Sequence, residues 1–538
     1  MTDFAFASRR SPVMGRNGMV ASSQPLATAA GLEIFSAGGN AADAAVAVAA
    51  ALNVIEPTST GIGGDMFALY YDARTKQISA LNGSGRAPAS LSLERLQKEN
   101  IRELPPFHPY TITVPGACAG WFDLIEKHGS LPMNQILAPA ISLAENGFPV
   151  MPITAHFWER GVNRQLKSAL NGSELTIEGR APRAGEIFHN KGLARTFRKI
   201  ADEGKRAYYE GEIAKSIAKV IQESGGCLTV DDLAAHHSTW DEPISVDYRG
   251  YRVWECPPNG QGLAALLALN LLEGFDLASL PPLSTERLHL QIEAMRLAFA
   301  DVRWYVADPK FFDIPLKELL SKAYAGERRK LINPKHAALD QKRGTPVTSS
   351  GTIYFSVVDK VGNACSFINS NYMGFGTGII PKGWGFSLQN RGHNFSLEAN
   401  HPNLLEPRKR PYHTIIPAMA TRADGSLFTS FGVMGGFMQP QGHIQVFSAL
   451  VDNGLDPQSA LDMPRFCIEP SEDGGWTSLE EGISDKVIAA LKKRGHLTRK
   501  ISGWERATFG RGQVIVRERS GVLIAGSDPR ADGCAMTL

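Results

Sequence analysis

The stretch that decides the reading is Thr348-Ser-Ser-Gly351-Thr352-Ile-Tyr-Phe-Ser-Val-Val-Asp359-Lys-Val-Gly362-Asn363-Ala-Cys-Ser-Phe-Ile-Asn-Ser370-Asn-Tyr-Met-Gly-Phe-Gly-Thr-Gly-Ile-Ile380. A polar run ends at Gly351. Ile353, Phe355 and Val357 then alternate with Thr352, Tyr354 and Ser356, the period of two that marks a strand. Asp359 to Asn363 carries the turn chemistry of a β-hairpin, and Ala364 to Ser370 reads as the return strand. With Lys360-Val361-Gly362 as the loop, Asp359 faces Asn363, and Thr352 falls opposite Ser370 on the same face of the pair. A two-residue loop would shift the partner by one. Two hydroxyls are therefore expected side by side, either on the polar face of an exposed hairpin or in a site.

The chain of 538 residues, 43% hydrophobic and 20% charged, is long enough for a large core. A net charge of +2 implies no nucleic-acid or membrane-surface partner. Six scattered cysteines without a Cys-x-x-Cys pair argue against a zinc site and a disulfide framework. The first residues lack a sustained apolar run, and the Ala-rich stretch 41–54 is too short to span a bilayer, so a cytoplasmic protein is expected.

Elsewhere the pattern is of helices and strands in turn. Pro25 can start a helix running to about Ser36, ended by Gly38-Gly39, and Asn40 caps a second over 41–54. Gly61-Ile62-Gly63-Gly64-Asp65-Met66 precedes a strand over 67–71. A dinucleotide fingerprint needs the opposite order, strand before and helix after. Thr113-Val114-Pro115-Gly116 opens a helix, and Cys118 in it reads as a small packing residue. Residues 136–146 read as an amphipathic helix with Pro139 tolerable in its first turn. Residues 263–272 and 284–300 read as further helices. Residues 328–350 are polar and rich in Lys, Pro and Ser, a mobile segment by composition. His393, His401 and His443 lack the spacing of a zinc helix and read as structural, so no metal is expected.

Gly351-Thr352, Ser-Val-Val-Asp-Lys-x-Gly-Asn-Ala, Phe375-Gly376-Thr377-Gly378-Ile379, Gly435-Gly436 and the closing Gly526-Ser527-Asp528-Pro529-Arg530 resemble, in order, the γ-glutamyltranspeptidase family of N-terminal-nucleophile hydrolases. The resemblance runs from about Ala21 to Gly533. It implies an α+β fold, a four-layer αββα sandwich. It also implies self-cleavage between Gly351 and Thr352 into a large piece, 1–351, and a small piece, 352–538, intertwined in one domain. Ser370 matches a family Thr that hydrogen-bonds the nucleophile, and Gly435-Gly436 matches the oxyanion pair. No cofactor is implied, and dimerisation of the cleaved pair is left open. Several positions depart from the transpeptidase pattern. The family's carboxylate-binding Arg falls at Ser84; Arg86, two residues on, either does a related job or is a loop arginine. A family Asn becomes Tyr372, a Gln becomes Arg391, the acidic residue that takes an ammonium becomes Asn394, and two serines become His413 and Thr414.

Cleavage would give Thr352 a free α-amine with pKa about 7.7–8.0, able to take the proton of its own hydroxyl. Nucleophile and base then sit in one residue. The adjacent N–H groups of Gly435 and Gly436 could stabilise the tetrahedral oxyanion. Three readings follow: hydrolysis of a small acidic, oxamate-like amide through an acyl-Thr352 ester; a genuine γ-glutamyltransferase or glutathione hydrolase; and an uncleaved, non-enzymatic homologue.

Overall fold

Residues 353 to 370 fold as their alternation and turn chemistry require. Strands Ile353–Asp359 and Ala364–Ser370 pair antiparallel, with Ile353 opposite Asn369 and Val358 opposite Ala364. Three residues form the loop, and Gly362 takes a φ of +99°, a conformation costly for any residue with a Cβ. Asp359 Oδ1 accepts from the N–H groups of Val361, Gly362 and Asn363 and fixes the turn. Carried on by one residue, this register sets Thr352 beside Ser370. The computed structural model describes residues 10–339, 352–469 and 475–538. Gly351 and residues 340–350 of the stretch expected to be mobile lie outside them. The described part of that stretch is instead anchored: Arg328 and Arg329 end the helix Lys322–Arg329, Ile332 is buried, and the Ala337 and Ala338 N–H groups donate to the Arg494 carbonyl and to Glu293.

The hairpin is the centre of a seven-stranded antiparallel sheet ordered Cys534–Thr537, Gly18–Ser22, Ile353–Asp359, Ala364–Ser370, Asp65–Asp72, Gln77–Gly83, Thr239–Asp241. A second antiparallel sheet of seven is ordered Val13–Gly15, Leu523–Ser527, Arg511–Arg517, Leu427–Met434, Ala418–Arg422, Tyr251–Glu255, Ile244–Tyr248. Strands from both sides of position 352 share each sheet. The sheets pack face to face. Ser356 hydrogen-bonds Ser430 across the gap, and the Tyr354 ring lies over Gly432, where a Cβ would come within 2.5 Å of it. Thr352, Tyr354 and Ser356 share this inner face, so the candidate nucleophile faces the space between the sheets.

Helices close both outer faces. Pro25–Ser36 and Ala41–Ile55 cover the hairpin sheet; Gly31 approaches Val20 and Val48 so closely that a Cβ would sit 2.8 Å from Val48. Asn40 caps the second helix in a reciprocal capping box with Asp43, as its position before the alanine run predicts. Gly262–Leu272 and Met438–Val451 pack on the other sheet, Thr285–Tyr305 packs against those two helices, and together they bury a second core around Phe431, Val433 and Val514. The four layers are helix, sheet, sheet, helix. One expectation is corrected. The helix holding Pro139 starts earlier and spans Met133–Asn146, so the proline lies inside it, beyond its first turn. Burial of Ile136, Leu137, Ala140, Ile141 and Ala144 outweighs the hydrogen bond the ring removes. Among the described residues no helix is long and apolar enough to cross a membrane.

Candidate active site

Strand pairing builds the site. Ser370 pairs with Asp65, and Met66 pairs with Gly83, so Thr352, Ser370, Asp65 and Ser84 form one row across four strands on the inner face. All four are buried. Thr352 Oγ1 and Ser370 Oγ are 3.1 Å apart. The Gly61–Gly64 turn makes this row accessible to backbone: a Cβ on Gly64 would stand 2.3 Å from the Ser370 carbonyl oxygen, and one on Gly63 2.2 Å from that of Ser387. The glycine cluster serves close packing against the hairpin.

Arg391 converges on the same hydroxyls. It is fully buried in the short turn Arg391–Asn394; Nη1 donates to Thr414 Oγ1 at 2.7 Å and Nη2 to Ser370 Oγ at 3.3 Å. Its guanidinium lies over the Tyr372 ring, 4.3 Å from the centroid, in cation–π geometry. Burial lowers its pKa to about 10, opposed by Asp65 and Tyr372, so it stays charged at neutral pH. Its Nε has no hydrogen-bond partner among the described residues. Tyr372, also buried, adopts a φ of +79°, rare for a bulky residue, and its N–H donates to Ser370 Oγ at 2.8 Å. Such strained residues persist only where their surroundings hold them.

Asp65 is the acidic centre of this group. Oδ1 accepts from Gly85 N at 3.0 Å, Gly116 N at 3.1 Å and Gln389 Nε2 at 2.9 Å, and Oδ2 lies 3.0 Å from His413 Nε2. His413 Nδ1 accepts from Ile415 N, so the proton sits on Nε2 and is donated to Asp65. Burial and the Arg391 charge push the His413 pKa down to about 3, leaving it neutral. Arg410, one turn of chain away and equally enclosed, donates Nε to the Ser84 carbonyl at 3.1 Å and Nη1 to Thr239 Oγ1 at 3.1 Å. Neither Asp65 nor Arg410 is among the site residues expected from the sequence, although Asp65 stands in the quoted glycine motif. Their signal is positional and appears only when the strands pair.

The oxyanion candidates lie on the facing sheet, just after strand Leu427–Met434. Gly435 and Gly436 have φ of +138° and +62°, and they precede helix Met438–Val451 rather than opening it. The Gly436 carbonyl accepts from Gln261 Nε2 at 2.8 Å, which pins the loop. Thus Thr352, Ser370, Tyr372, Arg391 and Thr414 form one directly bonded or stacked cluster, and His413 stands behind it on Asp65. Asn394 shares the Arg391 turn; its Nδ2 donates to the Tyr412 carbonyl. Arg86 is set apart, half-buried, donating to the His237 carbonyl at 3.2 Å. His393 and His443 hydrogen-bond the Leu104 carbonyl and Glu255, and His401 Nδ1 accepts from Asn403 N–H.

The paired Thr and Ser stand at the open end of a central hairpin in a two-sheet sandwich. The Gamma-glutamyltranspeptidase family model matches residues 27–538. The chain belongs to the γ-glutamyltranspeptidase family. It is 38% identical over 528 residues to the glutathione hydrolase-like YwrD proenzyme of Bacillus subtilis, covering 98% of this chain and 99% of that one. It is 31% identical to the oxamate amidohydrolase proenzyme of Klebsiella pneumoniae, covering 96% and 98%. Among solved structures it superposes on the cephalosporin acylase of Bacillus halodurans with a TM-score of 0.93 and 45% identity, covering 100% and 99%. The sandwich is therefore that of the N-terminal-nucleophile hydrolases, and this γ-glutamyltranspeptidase-family chain is an enzyme of the hydrolase or transferase class.

Proposed function

We propose that the protein cleaves itself between Gly351 and Thr352 and then hydrolyses a small amide that carries a carboxylate and no α-ammonium, with oxamate as the simplest example. The observation that carries this reading is Arg391. A fully buried guanidinium is costly to desolvate, and among the described residues its hydrogen bonds and stacking go to two hydroxyls and an aromatic ring. Asp65, the acidic group acting on it, already accepts from four donors. None of these contacts joins Asp65 to Arg391 directly, and a substrate carboxylate would give the guanidinium an acidic partner in hydrogen-bond contact. Asn394, in the position of the family's ammonium partner, is neutral.

The chemistry follows from the row. The Thr352 α-amine takes the proton of Oγ1 as the hydroxyl attacks the amide carbon, and Ser370 hydrogen-bonds the nucleophile. The Gly435 and Gly436 N–H groups would take the developing oxyanion. The amine or ammonia leaves with a proton, and water hydrolyses the acyl-Thr352 ester. The Klebsiella oxamate amidohydrolase and the Bacillus acylase show that the family accommodates amides of different kinds.

Steady-state rates on mono-amides of short dicarboxylic acids, set against glutathione and a γ-glutamyl anilide, test the proposal. A higher kcat/KM for the mono-amides is expected. A preference for glutathione would overturn it and restore γ-glutamyl transfer as the function.

A further inference from the structure

We infer that Arg391 also acts on the nucleophile, as a positioning residue working through Ser370, and so contributes to self-cleavage before any substrate binds. The inference shares the Thr352 chemistry proposed above but not the identity of the substrate. Two N–H donors meet at Ser370 Oγ: Tyr372 N at 2.8 Å and Arg391 Nη2 at 3.3 Å. A hydroxyl oxygen accepts two hydrogen bonds, so both lone pairs are engaged and its own proton is turned outward. Thr352 Oγ1 lies 3.1 Å away to receive it. A donor whose oxygen is itself held by a cation is a stronger donor.

Every part of this chain of contacts is fixed. Thr414 Oγ1 and the Tyr372 ring hold the guanidinium from two sides, and all members are buried. The Tyr372 N–H donates to Ser370 from a residue that itself holds a left-handed backbone. The arrangement therefore fixes the Ser370 hydroxyl without help from a ligand. In self-cleavage the Thr352 Oγ1–carbonyl carbon bond forms, the Gly351–Thr352 C–N bond breaks, and the hydroxyl proton ends on the new α-amine. Water then hydrolyses the ester. Ser370 transfers no proton in this; its hydrogen bond orients Oγ1 and stabilises it as the Thr352 hydroxyl proton leaves, while the negative charge of the tetrahedral intermediate collects on the carbonyl oxygen.

Self-cleavage uses no diffusible substrate, which separates the two roles of Arg391. The experiment follows loss of the intact chain on denaturing gels after pulse-labelled cell-free synthesis. The chains are wild type, Arg391→Gln, Ser370→Ala and the double variant, with thermal melting compared to Thr352→Ala. Losing one charge-assisted contact should slow cleavage by roughly tenfold in Arg391→Gln. The double variant should be no slower than Ser370→Ala, because coupled residues are non-additive. If Gln at 391 prevents folding, the same cycle with Arg391→Lys should show the same non-additivity. A folded Arg391 variant that cleaves at the wild-type rate, or a fully additive double variant, overturns the inference. If that variant has also lost activity on carboxylate-bearing amides, the proposed function stands and only this inference falls.

Discussion

Ser370 stands directly opposite Asp65 in the sheet, so the hydroxyl that contacts the nucleophile is flanked by a carboxylate that ties several loops of the site together. Asp65 reaches the loops at Gly85 and Gly116, the side chain of Gln389 and the ring of His413. The row from Thr352 to Ser84 is thus a structural unit, with Arg391 above it.

Asp65→Asn tests that unit. An amide can replace one oxygen acceptor but presents N–H donors where the other accepted from His413. A buried donor facing a donor should lower stability by about 1–3 kcal/mol and depress turnover. Thermal melting and initial rates measure both. Unchanged melting and activity would mean that Asp65 is a bystander.

Gly436→Val tests the oxyanion loop. At a φ of +62° a β-branched residue is strained, and the loop must move. Losing one oxyanion donor typically costs about 10²–10³ in rate, so kcat should fall far more than KM changes. A folded variant with near-normal kcat would remove Gly436 from the mechanism.

Buried histidines give the pH dependence of stability. The pKa values of His413 and His496 are pushed down to about 3, chiefly by burial, well below the ordinary 6.5. The unfolded chain therefore binds more protons as pH falls below about 6.5. Each group removes up to about 1.4 kcal/mol of stability per pH unit from there down to about pH 3. Melting of Thr352→Ala between pH 7 and 4 should show this slope, and adding His496→Gln should flatten it. An equal slope in both would refute the assignment for His496.

The hairpin, its register and the helix caps were legible in the sequence because each depends on local chemistry: alternation from Ile353 to Val357, the glycine turn at Gly362, Asn40 before an alanine run. The family motifs pointed to Arg391, and it bonds Ser370 beside Thr352. What could not be read was long-range pairing. Asp65 and Ser370 are over three hundred positions apart, and nothing in Gly-Ile-Gly-Gly-Asp shows that its carboxylate will end beside a hydroxyl or hold His413. Arg410 was hidden in the same way, since its role comes from contact with the Ser84 carbonyl on another strand. Pro139 misled for the opposite reason. Its local cost is real, but it is overruled by the buried face of the helix that carries it.

The central claim is that Thr352 becomes an N-terminal nucleophile. N-terminal sequencing of the purified wild-type protein after denaturing electrophoresis tests it most directly. The account requires two bands, the smaller beginning at Thr352, and a single full-length band for Thr352→Ala. A wild-type protein that hydrolyses its amide substrate while remaining one intact chain would contradict it.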